Sequence, residues 1–204
     1  MKFNGSLLII LSGFLILTFT YLFSIFFDIP FGDLSRDPSA IYGADPFIGM
    51  LSNFGVIFWS ISAGICFFTY FLINKQKNSY DKILIAYSGF ISLILLLDDL
   101  LMFHDKIIPY FLGLSEVYLF LLYGILIIFY CIFFLKTHLK TNYMVLVISL
   151  GLFGTSLIID LFPFQIDSNS RIIYEDGVKF LGISFWTCYQ FIICRQTIFK
   201  IIKV

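Results

Sequence analysis

The sequence predicts an all-α fold, a polytopic integral membrane helix bundle with six transmembrane helices and both termini in the cytoplasm. The chain of 204 residues is 60% hydrophobic and 13% charged, with a mean hydropathy of +0.97. A soluble domain of this size cannot bury so much apolar surface, so lipid must solvate most of its side chains. The apolar runs lack the alternation of spanning strands, and helices are the remaining way to satisfy the backbone inside lipid.

Six apolar runs are long enough to cross a bilayer, for which about 20 residues are needed. They span about 6–27, 47–73, 83–103, 116–135, 143–162 and 177–194. The first run is too long for a signal peptide and lacks a small-residue cleavage site, so we expect it to remain as a helix. Short connections between the runs predict a single domain over residues 1–204.

The longest segment outside these runs, 28–46, holds three of the five prolines and predicts an outer loop. Asp45 and Pro46 at its end are typical of a helix start, because Asp caps free N–H groups and Pro is tolerated in the first turn. Small residues recur in the fifth and sixth runs, where they predict close helix contact. These residues are Ser149, Gly151, Gly154, Ser156, Gly177, Gly182 and Ser184.

Lysine and arginine residues gather on one side of the predicted membrane. With the N-terminus in the cytoplasm, the cytoplasmic segments hold Lys2, Lys75, Lys77, Lys82, Lys136, Lys140, Arg195, Lys200 and Lys203. The outer segments hold Arg36, Lys106 and Arg171, while Lys179 falls within the sixth run. The positive-inside rule therefore predicts the N-in, C-in orientation. Basic helix ends suit anionic lipid head groups, so the lipid bilayer is the expected partner and nucleic acid is not.

The acidic residues gather on the outer side, and the third run carries the most informative pair. Asp98 and Asp99 follow the uncharged stretch 83–97. A charged group at membrane depth costs roughly 2.5–3.5 kcal/mol on insertion scales, and such groups usually face the bundle interior. Asp98 and Asp105 lie two turns apart on one face, whereas Asp99 points about 100° away. His104 falls near the end of the same run.

Other runs bring polar groups to the same level of the predicted bundle. Glu175, Asp176 and Lys179 open the sixth run, Asp160 ends the fifth, and Asn53 lies in the second. Together with the paired aspartates they predict one buried polar cluster in the outward half of the bundle. Adjacent carboxylates in a low dielectric favour shared protons, a bound cation or pairing with the lysine. A cluster that only fixes helices and loops at the interface is the structural alternative.

This cluster predicts two kinds of chemistry. As catalytic or proton-shuttling groups we expect Asp98, Asp99, His104 and Lys179. As ligands of a divalent metal ion, the candidate cofactor, we expect Asp98, Asp99, His104, Asp160, Glu175 and Asp176. A zinc site made mainly of histidine is excluded, because the chain has two histidines and His138 falls on the cytoplasmic side. The four cysteines have no CxxC spacing and predict packing residues.

Two fragments resemble parts of the alkaline ceramidase group of polytopic membrane hydrolases. LSN at 51–53 resembles a Ser-Asn motif at a helix start, and LLDDLLM at 96–102 resembles a Leu-Leu-Asp-acid segment whose aspartate falls on Asp98. The last helix of that group carries a His-x-x-x-His zinc pair, whereas EDGVKFLGISFW at 175–186 has no histidine. The resemblance therefore implies a related bundle whose site is built from carboxylates and lysine. The chain also resembles bacterial membrane proteins of unassigned activity, which implies the bacterial cytoplasmic (inner) membrane.

Three functions fit these observations. The first is a membrane-embedded, metal-assisted hydrolase or oxidoreductase that acts on a lipid or another apolar small molecule. The second is a small proton-coupled transporter in which the paired aspartates titrate. The third is a structural or assembly subunit of a larger membrane complex. The sequence contains no Walker-type loop, nucleophile elbow or haem-attachment motif that would narrow the choice.

Overall fold

A computed structural model of the chain describes residues 5–73, 79–162 and 167–202. These residues are overwhelmingly helical and include no β-strand, which confirms the predicted all-α class. The chain divides into two compact units, Met1–Gly49 and Met50–Val204. A single domain over the whole chain stays a prediction.

The first unit contains one long apolar helix and two helices of a single turn. Helix α1 spans Gly5–Phe26, α2 spans Phe31–Ser35 and α3 spans Pro38–Tyr42. The Asp37 side chain accepts the N–H of Ser39 at 2.8 Å before α3, and Gly43 follows that helix at a left-handed φ of 61°. The predicted loop 28–46 is therefore partly helical, and in α3 good caps hold a single turn without apolar periodicity.

The second unit contains the remaining helices. Helix α4 spans Met50–Leu72, α5 Ser79–Leu101, α6 Ile108–Leu112, α7 Val117–Phe133, α8 Leu135–His138, α9 Tyr143–Leu161 and α10 Ser168–Ile202. A π-helical turn, Phe103–Ile107, lies between α5 and α6. Asp45 accepts the N–H of Phe47 at 2.9 Å in a turn that precedes α4, so it does not cap α4 itself. The sixth predicted run lies inside α10, whose polar ends extend the helix beyond the apolar residues.

Four of the described helices are long and apolar enough to cross a membrane: Met50–Leu72, Tyr80–Leu101, Tyr143–Leu161 and Ser170–Lys200. Two shorter apolar helical stretches, Ile10–Phe26 and Val117–Phe133, coincide with the other two predicted runs. A membrane protein is therefore supported by length and composition. Six spans and the N-in, C-in orientation stay predictions.

Side-chain contacts fix the directions of the helices in the second unit. At one end Lys82 Nζ donates to the carbonyl of Ile73 at 2.9 Å, and Tyr80 Oη donates to the carbonyl of Phe133 at 2.6 Å. Helix α5 therefore starts where α4 and α7 end, and it runs antiparallel to both. Lys200 Nζ lies 3.0 Å from Asp81 Oδ2, so α10 also runs antiparallel to α5.

A buried aromatic centre separates the two ends of this unit. Trp59 from α4, Tyr130 from α7, and Trp186 and Tyr189 from α10 are all at most 2% exposed. The Trp186 ring lies 6.1 Å from that of Trp59 and 5.8 Å from that of Tyr130, measured between centroids. Most side chains that face away from this centre are apolar and exposed, as expected for helices whose surroundings are lipid.

Small residues allow close contact between α9 and α10 at three of the predicted positions. Ser149 Oγ donates to the carbonyl of Gly182 at 2.9 Å, and Ser156 Oγ donates to the carbonyl of Glu175 at 3.1 Å. A Cβ atom at Gly182 would lie 2.9 Å from the ring of Phe153. By contrast, a Cβ atom at Gly151, Gly154 or Gly177 would meet nothing within 4 Å.

Candidate functional site

The turn that follows α5 folds the chain back onto the helix it has just left. Met102 adopts a left-handed conformation at φ 53° and ψ 45°, which is unfavourable for a residue with a side chain. This turn lets the backbone N–H of His104 donate to Asp98 Oδ1 at 3.0 Å. The Nδ1 atom of the same imidazole lies 2.6 Å from Asp98 Oδ2. Strained backbone of this kind often occurs at functional sites, and here two contacts to one carboxylate hold it.

Both ring nitrogens of His104 face carboxylates. Nε2 lies 3.4 Å from Asp105 Oδ1, on the other side of the ring from Asp98. Burial disfavours the imidazolium, but the hydrogen bond and charge of Asp98, together with the charge of Asp105, outweigh it and raise the pKa of His104 above its ordinary value. Asp98 is only 4% exposed, and the Tyr123 hydroxyl also interacts with its carboxylate. Asp98 and His104 therefore form a buried pair that can bind a proton.

The neighbouring carboxylate serves a different set of partners. Lys179 Nζ donates to Asp99 Oδ1 at 2.8 Å, and Trp59 Nε1 donates to Asp99 Oδ2 at 2.8 Å. The carboxylate thus joins α4, α5 and α10. The side chain of Asp99 is 11% exposed and that of Lys179 is 39% exposed, so the ion pair lies at the edge of the bundle core.

A cleft between α4 and α10 opens beside this ion pair. It encloses about 370 Å³ between protein atoms, part of it open to the surroundings. Its polar lining comes from Ser52, Asp99, Asp176 and Lys179, and its apolar lining includes Leu51, Phe180 and Ile183. Asp99 and Lys179 therefore face a cleft whose lining is partly charged and partly apolar.

The remaining acidic residues of the predicted cluster belong to a separate contact. Arg171 Nη2 donates to the carbonyl of Asp160 at 2.6 Å and lies 3.7 Å from its Oδ1. Arg171 Nε lies 3.9 Å from Glu175 Oε2. Of the six predicted metal ligands, two are therefore engaged with an arginine that ties the end of α9 to the start of α10. Asn53 is exposed and does not line the cleft.

The metal-ligand prediction gains no geometric support from the described ranges. No group of three His, Cys, Asp or Glu side chains that could hold a metal ion occurs among them. The four residues predicted to shuttle protons do form contacts in pairs: Asp98 contacts His104, and Asp99 contacts Lys179. The metal-ligand set stays a prediction.

Sequence reasoning missed three aromatic partners. Trp59 and Tyr123 contact the paired aspartates, and Tyr189 contacts His138 at the other end of the bundle. A detectable signal was the position of Trp59, which falls inside an apolar run rather than at an interface. A buried indole needs an acceptor for its N–H, so such a tryptophan indicates a buried polar partner.

A family model described as a domain of unknown function, DUF8692, matches residues 7–193. The chain belongs to the DUF8692 family. No curated protein and no solved structure matches this DUF8692 chain. The paired aspartates, the histidine and the lysine of the site all lie within the matched region, so the site belongs to the DUF8692 domain itself.

Proposed function

We propose that this protein is a small proton-coupled carrier of the bacterial cytoplasmic membrane, in which the Asp98–His104 pair binds the transported proton. The observation that carries the proposal is the 2.6 Å contact between His104 Nδ1 and a carboxylate that is almost fully buried. An ionisable group at membrane depth is costly, and in transporters such groups commonly form proton relays. A histidine is suited to this role because its charge changes near physiological pH.

The ion pair beside the proton-binding group supplies a binding position for a second species. Lys179 is partly exposed at the cleft and uses one of its three N–H groups to donate a hydrogen bond to Asp99. A substrate that contacts either partner changes the charge next to the Asp98–His104 pair. Because Asp98 and Asp99 are consecutive on α5 and the charge of Lys179 acts on His104, occupation of the cleft and protonation of His104 influence each other, which is the requirement for coupled transport.

Proton movement in vesicles tests this proposal. Purified protein is reconstituted into vesicles that contain a pH-sensitive dye, and a panel of small carboxylates, organic phosphates and amines is added outside. We expect at least one compound to drive proton entry, and we expect Asp98→Asn to abolish that entry. Glu116→Gln is the matched control, because this carboxylate makes no capping hydrogen bond at the start of α7. Proton entry that persists in Asp98→Asn, or a panel without any active compound, would contradict the proposal.

A membrane-embedded hydrolase is the second candidate, and one observation favours it. A carboxylate that orients an imidazole through Nδ1 is the arrangement by which a histidine is positioned as a general base. Incubation with a total membrane lipid extract, followed by mass spectrometry of the products, tests this activity. Products that form with wild type and not with Asp98→Asn would favour the hydrolase over the carrier. Loss of those products in chelator would support the predicted metal.

A further inference from the structure

The second histidine of the chain is buried at the other end of the bundle. His138 ends α8 and is 3% exposed. Its Nδ1 lies 2.6 Å from Tyr189 Oη, and its Nε2 lies 3.3 Å from the carbonyl oxygen of Tyr130. The Tyr130 ring packs edge-on against the imidazole at 4.7 Å between centroids. Both ring nitrogens therefore have partners, although the residue lies next to exposed lysines in the sequence.

Hydroxyl groups next to His138 form a short closed chain of hydrogen bonds. Thr141 Oγ1 donates to the carbonyl of His138 at 2.7 Å, and it lies 3.1 Å from Tyr189 Oη. A hydroxyl carries one proton and can also accept. Since the carbonyl can only accept, Thr141 is the donor in that contact and remains able to accept from Tyr189.

This chain satisfies both protonation states of His138. In the neutral state Nε2–H donates to the carbonyl of Tyr130, and the Tyr189 hydroxyl donates to the bare Nδ1. In the protonated state Nδ1–H donates to Tyr189 Oη, Tyr189 donates to Thr141, and Thr141 donates to the carbonyl of His138. Gain of a proton at Nδ1 together with one rotation of the Tyr189 hydroxyl converts the first arrangement into the second. A buried imidazole whose two charge states are both fully hydrogen-bonded can change state without leaving a polar group unpaired.

The surroundings of His138 favour release of a proton. Burial lowers the pKa of His138, and the hydrogen bond to the Tyr130 carbonyl offsets part of that effect. The titratable groups that contact His138 from the packed helices are Tyr130 from α7 and Tyr189 from α10, and Cys131 from α7 acts on Tyr189. On its own segment the charged neighbours are Lys136 and Lys140, and both are exposed.

The two histidines lie at opposite ends of the second unit. Tyr123, near the start of α7, interacts with Asp98, whereas His138 follows the end of α7. The antiparallel course of α5 gives the same result, since its first residues contact the end of α7 and its last residues lead to His104. In the predicted orientation, His138 is at the cytoplasmic end and His104 at the outer end.

We propose that His138 is a second proton-binding site, which receives the proton of the carrier and releases it at the cytoplasmic end, and that the Tyr189 and Thr141 hydroxyls stabilise its protonated state. This inference rests on the proposed function. Between the two ends, Trp59 Nε1 donates to Asp99, and Trp186 Nε1 donates to Ser92. An indole N–H donates but cannot accept, so these contacts do not conduct a proton.

Nitrogen NMR of the labelled imidazole tests the site directly. In His104→Gln, His138 is the sole histidine, so its signals need no assignment. We expect the Nε2–H tautomer at neutral pH and conversion to the imidazolium with a midpoint below 6.5. In Tyr189→Phe the protonated state loses the acceptor of Nδ1–H, so we expect the midpoint to fall further. Tyr80→Phe is the matched control, because this exposed tyrosine at the same end bonds to the Phe133 carbonyl instead.

Two outcomes of the NMR experiment would overturn the inference. One is an Nδ1–H tautomer at neutral pH, and the other is a midpoint that is the same in His104→Gln with and without Tyr189→Phe. The vesicle assay separates this inference from the proposed function. If Asp98→Asn abolishes proton entry and His138→Gln leaves it at the wild-type rate, His138 is not on the proton path while the carrier stands. If His138 titrates as expected but no compound moves protons, the carrier fails and only the proton-binding site remains. Thr141→Val provides a second variant should His138→Gln not fold.

Discussion

The contact between Asp99 and Lys179 predicts a strong energetic coupling that can be measured by a double-mutant cycle. Lys179→Met removes the cation from the Asp99 carboxylate, whose side chain is 11% exposed. In the described contacts, the Trp59 N–H is then the remaining hydrogen-bond donor to this carboxylate. Breaking a buried ion pair from one side costs about 3–5 kcal/mol. Because the Lys179 side chain is 39% exposed, screening reduces this value, and we expect about 2 kcal/mol.

Asp99→Asn is expected to cost less. The amide oxygen of asparagine can still accept from Trp59, and the unpaired ammonium of Lys179 can reach its surroundings, so we expect about 1 kcal/mol. The double variant has neither charge and keeps the indole contact. Its expected cost is again about 1 kcal/mol, which makes the coupling energy about 2 kcal/mol.

Reversible unfolding in mixed detergent micelles, followed by tryptophan fluorescence, gives these free energies. Both tryptophans of the chain are buried, so unfolding changes their emission. The pair of Lys200 and Asp81 is the matched control: its contact is 3.0 Å, but the lysine side chain is 54% exposed, and we expect a coupling of at most about 0.5 kcal/mol. Costs of Lys179→Met and Asp99→Asn that add to within about 0.5 kcal/mol would refute the reasoning.

Three further predictions concern pH, hydrogen bonding and packing. Because the folded pKa of His104 is raised, its contribution to stability is complete below pH 6.5 and is lost as the pH rises through the folded pKa; a pH series of unfolding free energies should show this loss, and His104→Gln should abolish it. Trp59→Phe leaves the partly buried Asp99 carboxylate with one donor fewer and should lower the free energy of unfolding by about 1–2 kcal/mol. Gly182→Ala forces a Cβ atom to 2.9 Å from the Phe153 ring and should destabilise by about 1–3 kcal/mol, whereas Gly177→Ala, in open space on the same helix, should be neutral or stabilising.

The helices could be predicted from the sequence because hydropathy and helix length depend on the same residues. The first five predicted runs match α1, α4, α5, α7 and α9, and each end agrees to within a few residues. The start of α10 was missed because residues 168–176 are mostly polar. Hydropathy identifies helical turns that lie in lipid, but it does not identify polar helical turns outside it. The single turns of α2 and α3 were missed because neither has apolar periodicity, and α3 is held by the cap of Asp37 instead.

The site was predictable in part. The cost of placing Asp98 and Asp99 at membrane depth marks them without any structural knowledge, and helix geometry alone predicts that they point in different directions. The return of His104 onto Asp98 was not predictable, because it depends on a left-handed residue that is methionine rather than glycine. The contact of Asp160 with Arg171 was also missed, since proximity along a membrane normal does not determine which helices are neighbours.

The charges around His104 determine the sign of the coupling that we expect in the carrier. The charge of Lys179 opposes protonation of His104, while the charges of Asp98 and Asp105 favour it. An anionic substrate that pairs with Lys179 would weaken this opposition, so its binding should raise the affinity of His104 for a proton. By linkage, protonation of His104 must then raise the affinity for the anion by the same factor. A cationic substrate would have the opposite effect, so proton and substrate should move in the same direction only when the substrate is an anion.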